Sequence, residues 1–380
     1  MKYIAKMMLA LLASLTLIIP AYAWDFGASG SVEALWEQVE TKPNSGESKS
    51  PRNFSSASGA VSITSGHTDG DKSLTLKYSA DVDTDGSTLG TDTGLDQTLS
   101  LAASTKAGKW TASATASQSI MEDGVTDKIA SDDDAAITLT DGSITYVFGD
   151  ASHLSTAEKV ADTTSGGAVD AEARVDGFNG FSVGLPVGPG ALTVALDMNS
   201  GTSTTLMGDQ TVAVGCGGQM TGFGFNFAGN VGADLSLTFA SGSAAASKAT
   251  CTGDNASNSA SGSTMGLGVS IPLGALTIGA DVESSGTTTT YQSADTKVAQ
   301  SGTEVSISMS GIADGTIVAA VSSQTKTTTT TSETKVETSG MEVGWKTSIG
   351  PTTFEVAYGN NAIKDGDTVT DIEIEMTYSF

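Results

Sequence analysis

Asp371-Ile372-Glu373-Ile374-Glu375-Met376-Thr377-Tyr378-Ser379-Phe380 closes the chain. Ile372, Ile374, Met376, Tyr378 and Phe380 fall on one side of a period-two pattern, and Asp371, Glu373, Glu375, Thr377 and Ser379 on the other. Alternation of this kind is the signature of a strand whose two faces meet different environments. It recurs upstream at Leu74-Leu76-Tyr78-Ala80-Val82, Trp110-Ala112-Ala114-Ala116, Ile144-Tyr146-Phe148 and Leu192-Val194-Leu196-Met198, then at Phe223-Phe225-Phe227, Val231 to Phe239 and Leu276-Ile278-Ala280-Val282. No comparable stripe recurs at helical spacing.

Turn signals join the stripes in pairs. They lie near Gly66 to Asp71, Lys106 to Lys109, Thr140 to Gly142, Leu185 to Gly190, Ala228 to Asn230, Pro272 to Gly274, Ile312 to Gly315 and Ile349 to Pro351. Between pairs run stretches rich in Asp, Ser, Thr and Gly, such as Asp150 to Ala173, Ser200 to Thr221, Ser284 to Ser301 and Thr325 to Thr338. Eight hairpins with one further strand at each end predict 18 strands; one false hairpin would leave 16 and one missed hairpin would make 20. The threonine tracts Thr287 to Thr290 and Thr327 to Thr331 are expected to extend strands, given threonine's β-propensity.

Composition excludes several classes. With 45 Gly in 380 residues and mean hydropathy near zero, apolar residues are dispersed rather than massed into spanning helices. The net charge of -25 and only two Arg, Arg52 and Arg174, exclude a nucleic-acid partner, which needs clustered bases. Residues 1 to 23 read as a signal peptide: Lys2 and Lys6, the apolar run Met7 to Ile19, then Pro20 and Ala21-Tyr22-Ala23. The remainder, 24 to 380, is expected to form one domain in which 16 bases, the total of 18 less Lys2 and Lys6, face 43 acids.

The non-apolar face is mostly Gly, Ser, Thr and carboxylate, which suits a wide aqueous lumen, while the bulky residues would face hydrocarbon. Unpaired strand edges are costly in a bilayer, so the first and last strands must pair and close a barrel. The fold class is therefore all-β: a transmembrane antiparallel β-barrel with short turns on the periplasmic side and long outer loops. The terminal strand ending in Tyr378 and Phe380 resembles the assembly signal of Gram-negative outer-membrane proteins, and the chain from 24 onward resembles a general diffusion porin. Ala136 to Asp150 is similar to the strand, turn, strand and Gly that precede the loop folded into such pores. This resemblance implies residence in the outer membrane among lipid and lipopolysaccharide, insertion by the barrel assembly machinery, a homotrimer and a water-filled channel for ions and small hydrophilic solutes. No cofactor or metal is expected.

By the same resemblance, Asp150 to Ala173 would fold inward, making His153, Glu158, Lys159, Asp162 and Arg174 constriction candidates; a surface loop is the other reading. Ser155-Thr156-Ala157-Glu158 fits a capping box opening a short helix through Asp162. Parity places Glu33, Asp81, Asp197, Asp281, Glu304, Glu342, Glu355, Glu373 and Glu375 on the pore wall, with Glu37, Asp83 and Glu283, against the bases Lys77, Lys109, Arg174 and Lys346. A carboxylate-lined lumen concentrates cations, so cation preference is expected, although the wall is no more acidic than the chain as a whole. Cys216 and Cys251 fall in neighbouring outer loops, where export permits a disulfide.

Two other classes compete. An enzyme would need a base, and the two His, His67 and His153, sit in no nucleophile motif, so none is expected. An exported surface-layer or adhesin-like protein is the alternative, and would turn the bulky stripes into a dry interior.

Overall fold

The computed structural model describes residues 25–44, 52–84, 93–121, 135–150, 153–154, 157, 159–161, 163, 179–197, 203–205, 211–213, 218–246, 258–291 and 294–380. Residues 1 to 23, read as a signal peptide, and Cys216 and Cys251 lie outside them. Among the described residues twenty strands follow one another: β1 Asp25–Lys42, β2 Arg52–Asp69, β3 Lys72–Thr84, β4 Thr93–Ala107, β5 Trp110–Met121, β6 Ala135–Thr140 and β7 Thr145–Asp150. Then come β8 Asn179–Val187, β9 Gly190–Asp197, the short pair β10 Ser203–Thr205 and β11 Thr211–Ala213, β12 Gly218–Asn230 and β13 Asp234–Ala246. The rest are β14 Ser259–Leu273, β15 Leu276–Tyr291, β16 Ala294–Ile312, β17 Gly315–Thr329, β18 Glu333–Ile349, β19 Thr352–Ile363 and β20 Thr368–Ser379.

Eighteen of these form one antiparallel sheet, each strand bonded to the next, with β9 pairing β12 across the separate β10–β11 hairpin. The sheet closes on itself: β1 pairs β20 from Ser31 opposite Ser379 to Lys42 opposite Thr368. Closure is completed at the last residue. Phe380 and Gly30 exchange both backbone hydrogen bonds, at 2.9 and 3.0 Å, and Ser379 donates to the Pro351 carbonyl. Only a residue without a Cβ fits at 30, because that atom would stand 2.5 Å from the Phe380 ring and 2.6 Å from the Ala60 carbonyl oxygen.

All eight sequence-predicted tight connections are turns at one end of the barrel. In seven, a glycine takes the left-handed backbone (Gly70, Gly108, Gly142, Gly188, Gly232, Gly274 and Gly350), and in the eighth Ala313 and Asp314 do so at φ 50 and 60°. The turn expected at Ala228 to Asn230 falls later, at 231–233. There the Asn230 side chain accepts from the Gly232 amide and donates to Asp234, which places Val231, read as the start of the next stripe, in the reversal. At 141–144, Asp141 accepts from the Ser143 and Ile144 amides and pairs with Lys109 at 2.9 Å. These partners, Lys109 foremost, hold its carboxyl well below the usual carboxylate range.

Two of the stretches read as loops are mostly strand. Ser284 to Ser301 divides between β15 and β16, and Thr325 to Thr338 between β17 and β18. Thr287 to Thr290 and Thr327 to Thr329 stay in ladder register, Thr289 opposite Thr296 and Thr328 opposite Thr334, as β-branched side chains favour, while Thr330 and Thr331 form the bend between β17 and β18.

The two faces of the wall are inverted relative to a soluble barrel. On β15, Val282 is 50% exposed while its neighbour Asp281 is 3% exposed. Large apolar side chains point out all around the wall, among them Ile63, Ile137, Leu196, Phe223, Met265, Ile307, Val321 and Met376. Among the described residues the buried hydrophobics are Leu154 and six alanines, so no apolar core exists there. Aromatic rings line the outer surface: Trp110, Tyr146 and Phe181 follow at 6.3 Å centroid spacings, leading away from the short-turn end, and Trp345 meets Phe354 at 6.1 Å beside the turn at 350–351. Such an exterior matches the apolar band and aromatic girdle of a membrane barrel. The adhesin-like alternative required the opposite arrangement.

Substituting Gly30→Val should destabilise the folded barrel by roughly 1–3 kcal/mol through overpacking at the closure point. Urea unfolding followed by heat-modifiable gel mobility measures this, and an unchanged midpoint would contradict the closure geometry.

Candidate functional site

The most constrained feature inside the barrel is the segment that follows β7. Gly149, next to the last residue of that strand, takes φ 108°, where a Cβ would stand 2.1 Å from the Ala135 carbonyl oxygen, so the sharp exit requires glycine. Four residues on, His153 is buried; its Nε2 donates to the Gly149 carbonyl at 2.9 Å and its Nδ1 pairs with Ser182 Oγ on β8 at 2.9 Å. The ring fixes the root of the segment. Leu154 and Ala157 beyond it are buried too.

From there the chain lies against the inner wall on the far side of β9, held through its backbone. Asp281 on β15 accepts hydrogen bonds from the Lys159 amide, at 2.9 Å to each oxygen, and from the Val160 amide at 2.7 Å. Ser306 Oγ on β16 accepts from Ala161 at 2.9 Å, and Glu342 Oε1 on β18 accepts from Thr163 at 2.8 Å. An irregular segment in a lumen has no ladder to satisfy its amides, and the wall side chains supply acceptors instead. Bonds to a charged acceptor each contribute about 1.5–3 kcal/mol.

The wall is also shaped to receive it. A Cβ at Gly224 would meet Leu154 at 2.4 Å, at Gly268 the Ala157 carbonyl oxygen at 1.7 Å, at Gly279 the Lys159 carbonyl oxygen at 2.6 Å, and at Gly344 the Thr163 methyl at 2.6 Å. Four inward glycines on β12, β14, β15 and β18 thus form a shallow bed along which the segment runs. Sequence reading missed them. Inward parity was visible at each, but which glycines lie beneath a distant segment is not a local property.

The capping-box helix is corrected. Lys159, Val160 and Ala161 are not helical, because their amides go to Asp281 and Ser306 rather than to carbonyls one turn back. Ser155, Thr156, Glu158, Asp162 and Arg174 lie outside the described residues. Of the wall acids, Asp281, Glu304, Glu342, Glu355 and Glu373 are buried on the inner face, Glu33 and Glu375 are half-buried and Asp81 is exposed; the side chain of Asp197 lies outside the described residues. Glu283 and Asp371 join the buried set. Lys346 pairs with Glu355 at 2.9 Å.

No protein-family model matches the chain, and no curated protein matches it in sequence. Solved structures do match in fold. OpdL of Pseudomonas aeruginosa aligns at a TM-score of 0.53 and 9% identity, over 94% of this chain and 99% of that one. The outer membrane channel DcaP of Acinetobacter baumannii aligns at 0.52 and 12% identity, over 95% and 99%. The trimer form of OmpT, an outer membrane protein of Vibrio cholerae, aligns at 0.50 and 8%, over 94% and 100%. The chain has the fold of the outer-membrane porins and channels, as a closed antiparallel barrel of 18 strands.

Proposed function

We propose that this protein is an outer-membrane channel through which ions and small hydrophilic solutes diffuse passively, with a preference for cations. The observation that carries this reading is the backbone pinning of residues 159–161 and 163 inside a barrel whose outer face is apolar and whose inner face is polar. A plug that merely filled space would be held by apolar packing. This one is held by side-chain acceptors on β15, β16 and β18, an arrangement that narrows a lumen without sealing it.

Cation preference follows from the sign of the wall. Asp281, Glu283, Glu304, Glu342, Glu355, Asp371 and Glu373 all face inward and are buried, and fixed carboxylates behind a low-dielectric wall raise the local cation concentration. Glu158, Asp162 and Arg174 stand as constriction residues on sequence grounds. Cleavage of the signal peptide after Ala23, insertion by the barrel assembly machinery through the Tyr378 to Phe380 terminus, contact with lipopolysaccharide and a homotrimer complete the proposal. So does a Cys216–Cys251 bridge. No enzymatic activity is proposed.

In planar bilayers under a potassium chloride gradient, the reversal potential should have the sign of cation selectivity; anion selectivity would overturn that part of the reading. Combining Asp281→Ala with Glu342→Ala removes three of the four amide anchors and should raise single-channel conductance and its noise as the segment leaves the wall. Unchanged conductance would mean that residues 153–163 do not set the aperture.

A further inference from the structure

Where the first and last strands meet, three carboxylates converge on the lumen face. Glu37 on β1 stands directly opposite Glu373 on β20, and Asp371 is two residues along from Glu373 on the same face. Each offers an oxygen such that all three lie within 4.8 Å of one another. Like charges placed opposite each other across a ladder are destabilising, and here three share one patch. Next to them on β19, Ala357 pairs with Glu373 and Gly359 with Asp371, so the flanking strand contributes nothing larger than a methyl group.

A second observation points to what the cluster binds. Asp371 is more than nine-tenths buried, and its Oδ1 makes no hydrogen bond. An anionic acceptor removed from water without a donor is costly, and a cation is the partner that satisfies it.

We propose that Glu37, Asp371 and Glu373 bind a divalent cation of the calcium class, clasping the seam between the two ends of the chain. The ligands are all hard oxygens, which suit calcium or magnesium and not the softer transition metals. Ligand number separates the two. Magnesium is usually held through one or two carboxylates and keeps several waters, whereas calcium takes several carboxylates. Three convergent carboxylates favour calcium, and lumen water completes its coordination. The site bridges β1 and β20, the pair on which barrel closure depends, so its occupancy should be read out as stability of the fold. This inference does not depend on conduction and stands or falls separately from the channel reading.

The test uses the full mature chain, folded in detergent, stripped with a chelator and dialysed against calcium chloride. Wild type should show a higher unfolding temperature with calcium, followed by heat-modifiable gel mobility. Glu37→Gln combined with Asp371→Asn should bind one calcium fewer at equilibrium and lose the calcium-dependent part of the shift. In chelator, that variant should be at least as stable as wild type, because the repulsion has been removed. Glu37→Gln alone, at the least buried of the three positions, gives the same comparison should the double variant fail to fold. The proposal is overturned if the variants keep the wild-type calcium stoichiometry and temperature shift. It is equally overturned if wild type ignores calcium and its stability follows pH alone, the signature of carboxylates sharing a proton.

Discussion

A peptide group facing hydrocarbon has no water to bond, and that penalty organises this molecule. Eighteen strands satisfy one another only because β1 finds β20, and the seam is finished by the Phe380 and Gly30 backbones bonding in both directions. The C-terminal residue is therefore a structural member of the wall. Its ring occupies the space left by the missing side chain at Gly30, and Tyr378 stacks beside it at 6.2 Å, so the terminus also belongs to the aromatic rim.

The same penalty acts again inside. Once the chain leaves β7 for the lumen, it loses its ladder partners, and Asp281, Ser306 and Glu342 replace them. Those side chains are thus part of the scaffold as well as part of the charge lining. A carboxylate that grips backbone amides has spent much of its negative potential on them. The electrostatics felt by a passing ion consequently depend more on acids that hold no segment.

Much of the fold was legible from residue type alone. Alternation at Leu276-Ile278-Ala280-Val282 and at Ile372 to Phe380 assigned strand faces correctly, and seven of the eight turn signals fell on the reversals, with the eighth displaced from Ala228–Asn230 to 231–233, because both are local properties of the chain. Local signals also misled. Ser155 to Glu158 has the pattern of a helix start, yet Lys159 is drawn into contact with Asp281, 122 residues away, and nothing in the capping box encodes that partner. Ser284 to Ser301 had the polarity of a loop, yet the Thr287 to Thr290 tract within it was expected to extend a strand, and its register with β16 bears that out. The glycine bed was least legible of all. Each of Gly224, Gly268, Gly279 and Gly344 looked like one more small inward residue, and only the path of the segment distinguishes them.

The account rests on water filling the inside and lipid covering the outside. With Cys216 and Cys251 replaced by alanine, single cysteines placed along β15 from Ile278 to Thr287, in protein reconstituted into lipid vesicles, can be probed with a small charged thiol reagent. Positions 283, 285 and 287 should react, while 278, 280 and 282 stay protected until detergent is added. Protection at the first set with reaction at the second would place the carboxylates in the wrong medium and contradict the channel outright.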